Sequence, residues 1–365
     1  MFYVILYFII LFFGKIGSRT NLVIGKSSKK YSNEEYQKQG VNFFLLVSIL
    51  ILSLVAAFRP ENVGADTKSY IYIFNLFKSG HSVAEASRAA TTIENGYLLF
   101  SKIVVSIWSN RTFFFFCNAI LIYTSCTSFI RKNSDDFVLS VLLFTALYYT
   151  STFNVMRQYL AIGIFLFSLM LLQNEKYICS IFLLVIAFFI HRSLIIFAPI
   201  WAIYMLKIRK KGFIFSEIII IISLIALQNR SILNWLLVLL NYKRLTNGAH
   251  FYASDSGGLM AYIYLIILIL GFLVLYRANG NVGTYYYSNL VCASVGTACA
   301  FLAGSNEMFA RAGSGYLFFV TLLYPSILEE LFGSNKFSYK VAEIVTILLL
   351  GIGAYVSGRG YSYFI

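Results

Sequence analysis

Apolar runs of roughly 15 to 20 residues recur from one end of this 365-residue chain to the other, each close to the length that carries a helix across a bilayer. Residues are 59% hydrophobic and only 12% charged, so almost every charge falls in a short gap between two such runs. That pattern predicts an all-α integral membrane protein: a single polytopic domain over residues 1–365, a bundle of about twelve transmembrane helices with an outward-facing polar cavity. The net charge of +14 does not point to nucleic acid, because the basic residues are dispersed and form no stripe on a soluble surface. Five cysteines, Cys117, Cys126, Cys179, Cys292 and Cys299, sit inside apolar segments without paired short spacing, so neither a disulfide nor a metal cluster is expected. The apolar start, Met1 to Phe13, lacks a basic leader and precedes Lys15 and Arg19; it reads as a retained first span entering from outside.

Assigning the gaps to alternating sides of a bilayer puts twelve of sixteen lysines on one side and nine of thirteen arginines on the other. Lysine there obeys the positive-inside rule and arginine opposes it. A planar, permanently charged guanidinium on the outer side suits recognition of diphosphate or carboxylate, which points to an anionic lipid carrier. Lys26 to Lys38 and Lys207 to Lys211 mark the inner side. The outer loops are then about 59–111 and 228–259, the second containing a short apolar piece, Ile232 to Leu240. In the first, Tyr70, Ile73, Phe74 and Phe77 repeat at helical spacing, as for a helix lying in the interface.

Two crossings are interrupted. From Phe137 to Leu172 only Arg157 is charged, and about 36 residues of helix would reach about 54 Å, too far for one crossing. A turn is therefore expected near Ser151 to Asn154, with Arg157 in the first turn of the returning helix and Asn154 and Gln158 on the same face. Residues 177 to 206 are divided at His191 into halves of about 15 residues, each reaching about 22 Å against a core of about 30 Å. The tip with His191, Arg192 and Ser193 should stop below the membrane surface, where such groups are tolerated only against protein or a water-filled cavity. Farther on, Asn306, Glu307 and Arg311 are expected in an outer turn before a span from Tyr316 to Leu328.

Taken together, the segments FRPENVGADTKSYIYIF from Phe58, ENGYLLFSKI from Glu94, NVMRQYLAIGIFLF from Asn154 and HRSLIIFAPIW from His191 resemble the EpsG/Wzy-type family of membrane polysaccharide polymerases. The matching features are G-x-D-T at Gly64 to Thr67, E-x-G-Y at Glu94 to Tyr97, Arg157 followed by Gln158, and His191; NEMFARAGSGYLFF around Arg311 fits more loosely. The resemblance implies a glycosyltransferase in the bacterial cytoplasmic (inner) membrane that moves a growing glycan from polyprenyl diphosphate to an incoming lipid-linked repeat on the outer face. A flippase and a chain-length regulator of the same pathway would be its protein partners. On this reading Arg157, His191, Asp66 and Glu94 are the candidate catalytic groups, and Arg59, Gln158, Arg192 and Arg311 the candidate substrate-binding groups. Guanidinium groups would stabilise the departing diphosphate, and His191, or else Asp66 or Glu94, would take the acceptor's proton. The acid pairs Glu34–Glu35, Asp135–Asp136 and Glu329–Glu330 all fall on the inner side, so a metal-independent transfer without cofactor is expected. Competing readings are a transporter or flippase of the same lipid-linked sugars and a membrane acyltransferase with His191 as base.

Overall fold

A computed structural model describes residues 2–24, 33–227, 231, 257–303 and 307–358. All regular structure among them is helical. The chain divides into two compact units, Met1–Leu194 with Lys340–Ile365, and Ile195–Tyr339.

In the first unit α1 (Phe2–Ile24) and α2 (Asn33–Ala57) pair and lead to three helices inside the stretch expected to be an outer loop: α3 (Thr67–Lys78), α4 (Val83–Ala89) and α5 (Asn95–Ile107). The apolar stripe of α3 is there, but it is covered by protein: Phe74 meets the Phe114 ring at 5.9 Å and Tyr70 meets Tyr97 at 5.8 Å. α5 departs most from expectation. It is an apolar helix that buries Tyr97, Leu98, Ser101, Val104 and Val105 and exposes Leu99, Ile103 and Ile107. Its 13 residues are short, and polar flanks on both sides hide it from a hydropathy reading.

α6 (Arg111–Asn133) starts at an Asn110 cap, whose Oδ1 accepts the Phe113 N–H at 3.0 Å, and packs against α2 and against α9 (Met156–Gln173). α7 (Phe137–Leu147) ends well before α9 begins, with a single helical turn, α8 (Ser151–Asn154), between them. The break falls where chain length required it. Val155, at φ −119° and ψ 50°, separates Asn154 from α9, so Asn154 does not share a helix face with Arg157 and Gln158 as expected. α9 and α10 (Tyr177–Ile190) form a hairpin whose seam is closed reciprocally: Ser168 Oγ donates to the Ser180 carbonyl and Ser180 Oγ to the Ser168 carbonyl, both at 2.8 Å. The hairpin's closed end is tied by Lys132 Nζ, which donates to the Met170 carbonyl and to Asn174 Oδ1. The last helix, α17 (Lys336–Gly358), lies along α1, where Tyr7 Oη donates to the Ile347 carbonyl at 3.0 Å and Lys15 pairs with Glu343 at 2.5 Å.

α10 stops at His191 as expected. A 3₁₀ helix, η1 (Arg192–Phe197), and α11 (Ala198–Met205) follow. The second unit continues with α12 (Lys210–Leu227), α13 (Gly257–Arg277), α14 (Tyr286–Leu302), α15 (Glu307–Leu317) and α16 (Val320–Phe332). α14 is its centre, buried along most of its length. The expected turn around Arg311 is instead the helix α15, bent by 44° from α16. Thr321 Oγ1 donates to the Phe318 carbonyl, and Phe319, Thr321 and Leu322 bond three residues back, which tightens the chain at the bend. The expected apolar piece Ile232 to Leu240 and Asn306 lie outside the described residues.

Against an expectation of about twelve crossings, four described helices have the length and apolar character to span a bilayer, or five if the bent pair is one span. Seven further apolar helices are 10–17 residues long. Two of them are bounded by breaks in the helix: α7 ends before the turn at Ser151–Asn154, and α10 stops at His191.

Candidate functional site

Three segments distant in sequence converge on one carboxylate in the first unit. Glu94 occupies the cap position of α5 in extended backbone, but its side chain does not cap the helix. It reaches across instead. Oε2 lies 2.7 Å from Arg157 Nη1, while Oε1 accepts the backbone N–H of Arg192 at 3.0 Å and faces His191 Nδ1 at 3.3 Å. Arg157 Nη1 also donates to the Thr92 carbonyl at 3.1 Å. The Glu94, Arg157 and His191 side chains keep 12%, 16% and 11% of their surface, so the group is sheltered yet reachable. Burial pushes the Glu94 carboxyl up, but the His191 hydrogen bond, the Arg157 charge and the Arg192 N–H outweigh it and hold the group at about 2. It is a carboxylate at any physiological pH.

The E-x-G-Y segment explains itself residue by residue. Glu94 supplies the acid. Gly96 lets the start of α5 press on the end of α10, since a Cβ there would stand 2.4 Å from the Phe189 carbonyl oxygen. Tyr97 is fully buried, donates to Asn118 Oδ1 at 3.4 Å and leans on Tyr70. Tyr70, singled out in the sequence only for its apolar spacing, accepts the Arg157 backbone N–H at 3.2 Å and so fixes the first turn of α9. Burial raises its phenol to about 12, against the pull of the Arg157 N–H and charge.

G-x-D-T does a different job. Gly64 adopts φ +94°, and a Cβ there would stand 2.6 Å from the Phe153 carbonyl oxygen, so only glycine fits this close turn. The next residue, Ala65, donates its N–H to Asn154 Oδ1 at 2.9 Å. Thr67 Oγ1 donates to the Val63 carbonyl at 2.6 Å and accepts from Arg59 Nε at 3.4 Å. The segment is a clasp on the chain just ahead of Arg157. Asp66 stands half-buried at the start of α3, where its charge is felt by Tyr70.

Of the remaining predicted residues, Arg59 is only 4% exposed: it donates to the Ala56 carbonyl at 3.0 Å, contacts Met156 Sδ and lies 4.2 Å over the Phe115 ring. Its role here is to hold the clasp. Gln158 is buried, the Arg192 side chain is exposed, and Arg311 is an exposed residue of the second unit. The structure thus gathers Glu94, Arg157, His191 and the Arg192 backbone, with Asp66 and Arg59 around the supporting clasp. Tyr70, Tyr97 and Asn154 are the supporting side chains whose parts the sequence did not reveal; the E-x-G-Y spacing was the available signal for Tyr97.

No curated protein and no solved structure gives a significant match to the chain. A family model described as the EpsG family matches residues 42–364, a span that takes in every residue of this cluster and most of the apolar helices, and the chain belongs to the EpsG family of membrane proteins associated with polysaccharide polymerisation.

Proposed function

We propose that this protein polymerises lipid-linked oligosaccharide repeats at the outer face of the bacterial cytoplasmic membrane. The observation that carries the reading is the carboxylate of Glu94 holding a guanidinium and an imidazole side by side. Glu94 orients His191 through Nδ1 and stabilises the imidazolium, so that Nε2 can take the proton of the acceptor sugar hydroxyl. The hydroxyl oxygen then forms a bond to the anomeric carbon of the donor as the bond from that carbon to the diphosphate oxygen breaks. The electron pair leaves with the polyprenyl diphosphate. Arg157, fixed on one side by Glu94 and Thr92, and the exposed guanidinium of Arg192 stabilise that charge. Asp66 is a further acceptor for sugar hydroxyls, Gln158 and Arg59 support the wall of the site, and Arg311 is a further substrate-binding guanidinium.

Depth supports the assignment. Tyr97 meets α6 at Asn118, seven residues past the start of a 23-residue helix, or about 10 Å along it. Glu94 is three residues away, so the cluster is recessed along a spanning helix, as a cavity reached from one side requires. Transfer without a metal ion is proposed because the paired acids Glu34–Glu35, Asp135–Asp136 and Glu329–Glu330 fall on the inner side of the sequence map; polymer formation should then survive a strong chelator. The partners proposed are the lipid-linked repeat itself and the flippase and chain-length regulator of its pathway.

The deciding experiment is Arg157→Lys, which keeps the charge but loses the planar fork. In cells lacking their own copy, with membrane levels matched, polymer on a gel should fall about a hundredfold. Wild-type polymer from Arg157→Lys and from Arg157→Ala would remove the diphosphate site.

A further inference from the structure

Two half-length helices in the first unit divide one crossing between them. α5, inside the stretch that the sequence assigns to an outer loop, has 13 residues and reaches about 20 Å. α10 has 14 residues and reaches about 21 Å. Neither spans a hydrocarbon core of about 30 Å, but end to end they do.

α6, which is long and apolar enough to cross by itself, shows where each of them lies. At one end Lys132 Nζ donates to the Met170 carbonyl and to Asn174 Oδ1, which sets the last turn of α6 level with the α9–α10 hairpin end. From that level α10 rises to His191. Along α6 the stretch from Asn133 back to Asn118 measures about 22 Å, and Asn118 is where Tyr97 of α5 docks. α10 therefore ends at the height where α5 begins, and there Gly96 rests on the Phe189 carbonyl. α5 then runs antiparallel to α6: Ser109 and Asn110 alone separate Trp108 from Arg111, and the Trp108 ring meets Phe113 at 5.3 Å. Most of its length lies beside α6, inside the thickness that α6 crosses.

The side chains of α5 suit that place. Tyr97, Leu98 and Val104 turn inward, whereas Leu99, Ile103 and Ile107, four positions apart, and the Trp108 that follows are each more than half exposed. Such an apolar row is unfavourable in water and at no disadvantage against acyl chains. α10 carries a matching exposed row, Ile178, Phe182, Val185 and Phe189, up to the residue on which Gly96 rests. Polar groups on α5 are accommodated. Ser106 Oγ donates to the Lys102 carbonyl at 2.8 Å, and Lys102 lies less than two turns before Ile107, near enough to carry its ammonium to the interface along its own stem. A tryptophan at the end of such a helix belongs at headgroup level.

We propose that α5 is a re-entrant membrane helix, with Leu99, Ile103 and Ile107 against lipid acyl chains and Trp108 among the headgroups, completing the crossing that α10 leaves at His191. The partner of this face is the bilayer, and the Glu94 cluster lies at the seam of the two half-helices. The proposal does not rest on the polymerase reading.

The test needs no activity and no variant. Proteoliposomes of the full chain would be labelled by carbenes from phospholipids carrying a diazirine either near the headgroup or at the acyl-chain end. A parallel sample would be labelled by hydroxyl radicals generated in water, with adducts in both located by mass spectrometry. Leu99, Ile103 and Ile107 should take up about tenfold more carbene than the residues of α4, and about tenfold less hydroxyl radical. Depth should follow the helix: the headgroup-proximal probe should favour Ile107 and Trp108, and the chain-end probe Leu99. Hydroxyl-radical labelling of Leu99 and Ile103 at the level of α4 would overturn the proposal by making α5 part of an aqueous loop. Labelling by neither reagent would overturn it in favour of a protein cover, and equal carbene labelling of Leu99 and Ile107 from both depths would remove the re-entrant orientation.

Discussion

Arg59 and Arg157 flank Met156 in the same unit, yet their surroundings teach opposite lessons. Arg59 is enclosed by a carbonyl, a threonine hydroxyl, a thioether and the faces of Phe115 and Phe153. Its neighbours are groups that any fold supplies, and they use its donors to lock the clasp. Arg157 faces an acid shared with a histidine, and that acid is held as a carboxylate by the groups it joins. A guanidinium satisfied by backbone and rings builds structure. One that shares a sheltered carboxylate with an imidazole retains its capacity for proton and charge chemistry.

The largest effect that would break this contrast comes from Glu94→Ala. It strips Arg157, His191 and the Arg192 N–H of their common acceptor, and polymer formation should fall about a thousandfold, on the order of 4 kcal/mol, while the protein still inserts and folds. Normal polymer at normal protein level would mean that the acid is scaffold, like the groups around Arg59. Next in size is Arg59→Met. Loss of the ring stacking and hydrogen bonds should lower stability by about 3 kcal/mol, seen as a lower Tm in detergent, with activity per folded molecule little changed. An inactive Arg59→Met protein of normal Tm would place Arg59 with the chemistry.

The smallest effect is confined to acid. Glu94 is held at about 2 against an ordinary value of 4.5. Its contribution to stability is therefore complete above about pH 4.5 and is lost as pH falls through about 2. Thermal melts across that window should show a component that vanishes in Glu94→Gln and persists in Arg59→Met. Identical acid limbs in wild type and Glu94→Gln would show that the carboxylate is not linked to folding.

What the sequence could announce was whatever periodicity and length govern. The turn before Arg157 and the stop at His191 were legible because a helix has a fixed rise and a membrane a limited thickness. The stripe of α3 was legible for the same kind of reason, although its covering of Phe114 and Tyr97 was not. α5 escaped notice because a short apolar helix between polar segments carries no length argument. Asn154 was assigned to the wrong face because nothing local announces the bend at Val155. The bend between α15 and α16 likewise depends on hydrogen bonds three residues back and a single threonine hydroxyl. Within the site, residue types and order along the chain were readable. That Glu94 bridges Arg157 and His191 was not, since partners 63 and 97 positions apart meet only through tertiary packing.

At Gly96 the start of α5 rests on the Phe189 carbonyl with no side chain between them. Side chains at a helix contact can adjust their rotamers when neighbouring helices shift; two main chains in contact have no such slack. A bilayer that thins, thickens or comes under lateral tension tilts its helices. Here such a tilt of α10 would carry the first turn of α5 with it. The acid and the imidazole would then travel as one body, their spacing insulated from the mechanical state of the surrounding lipid.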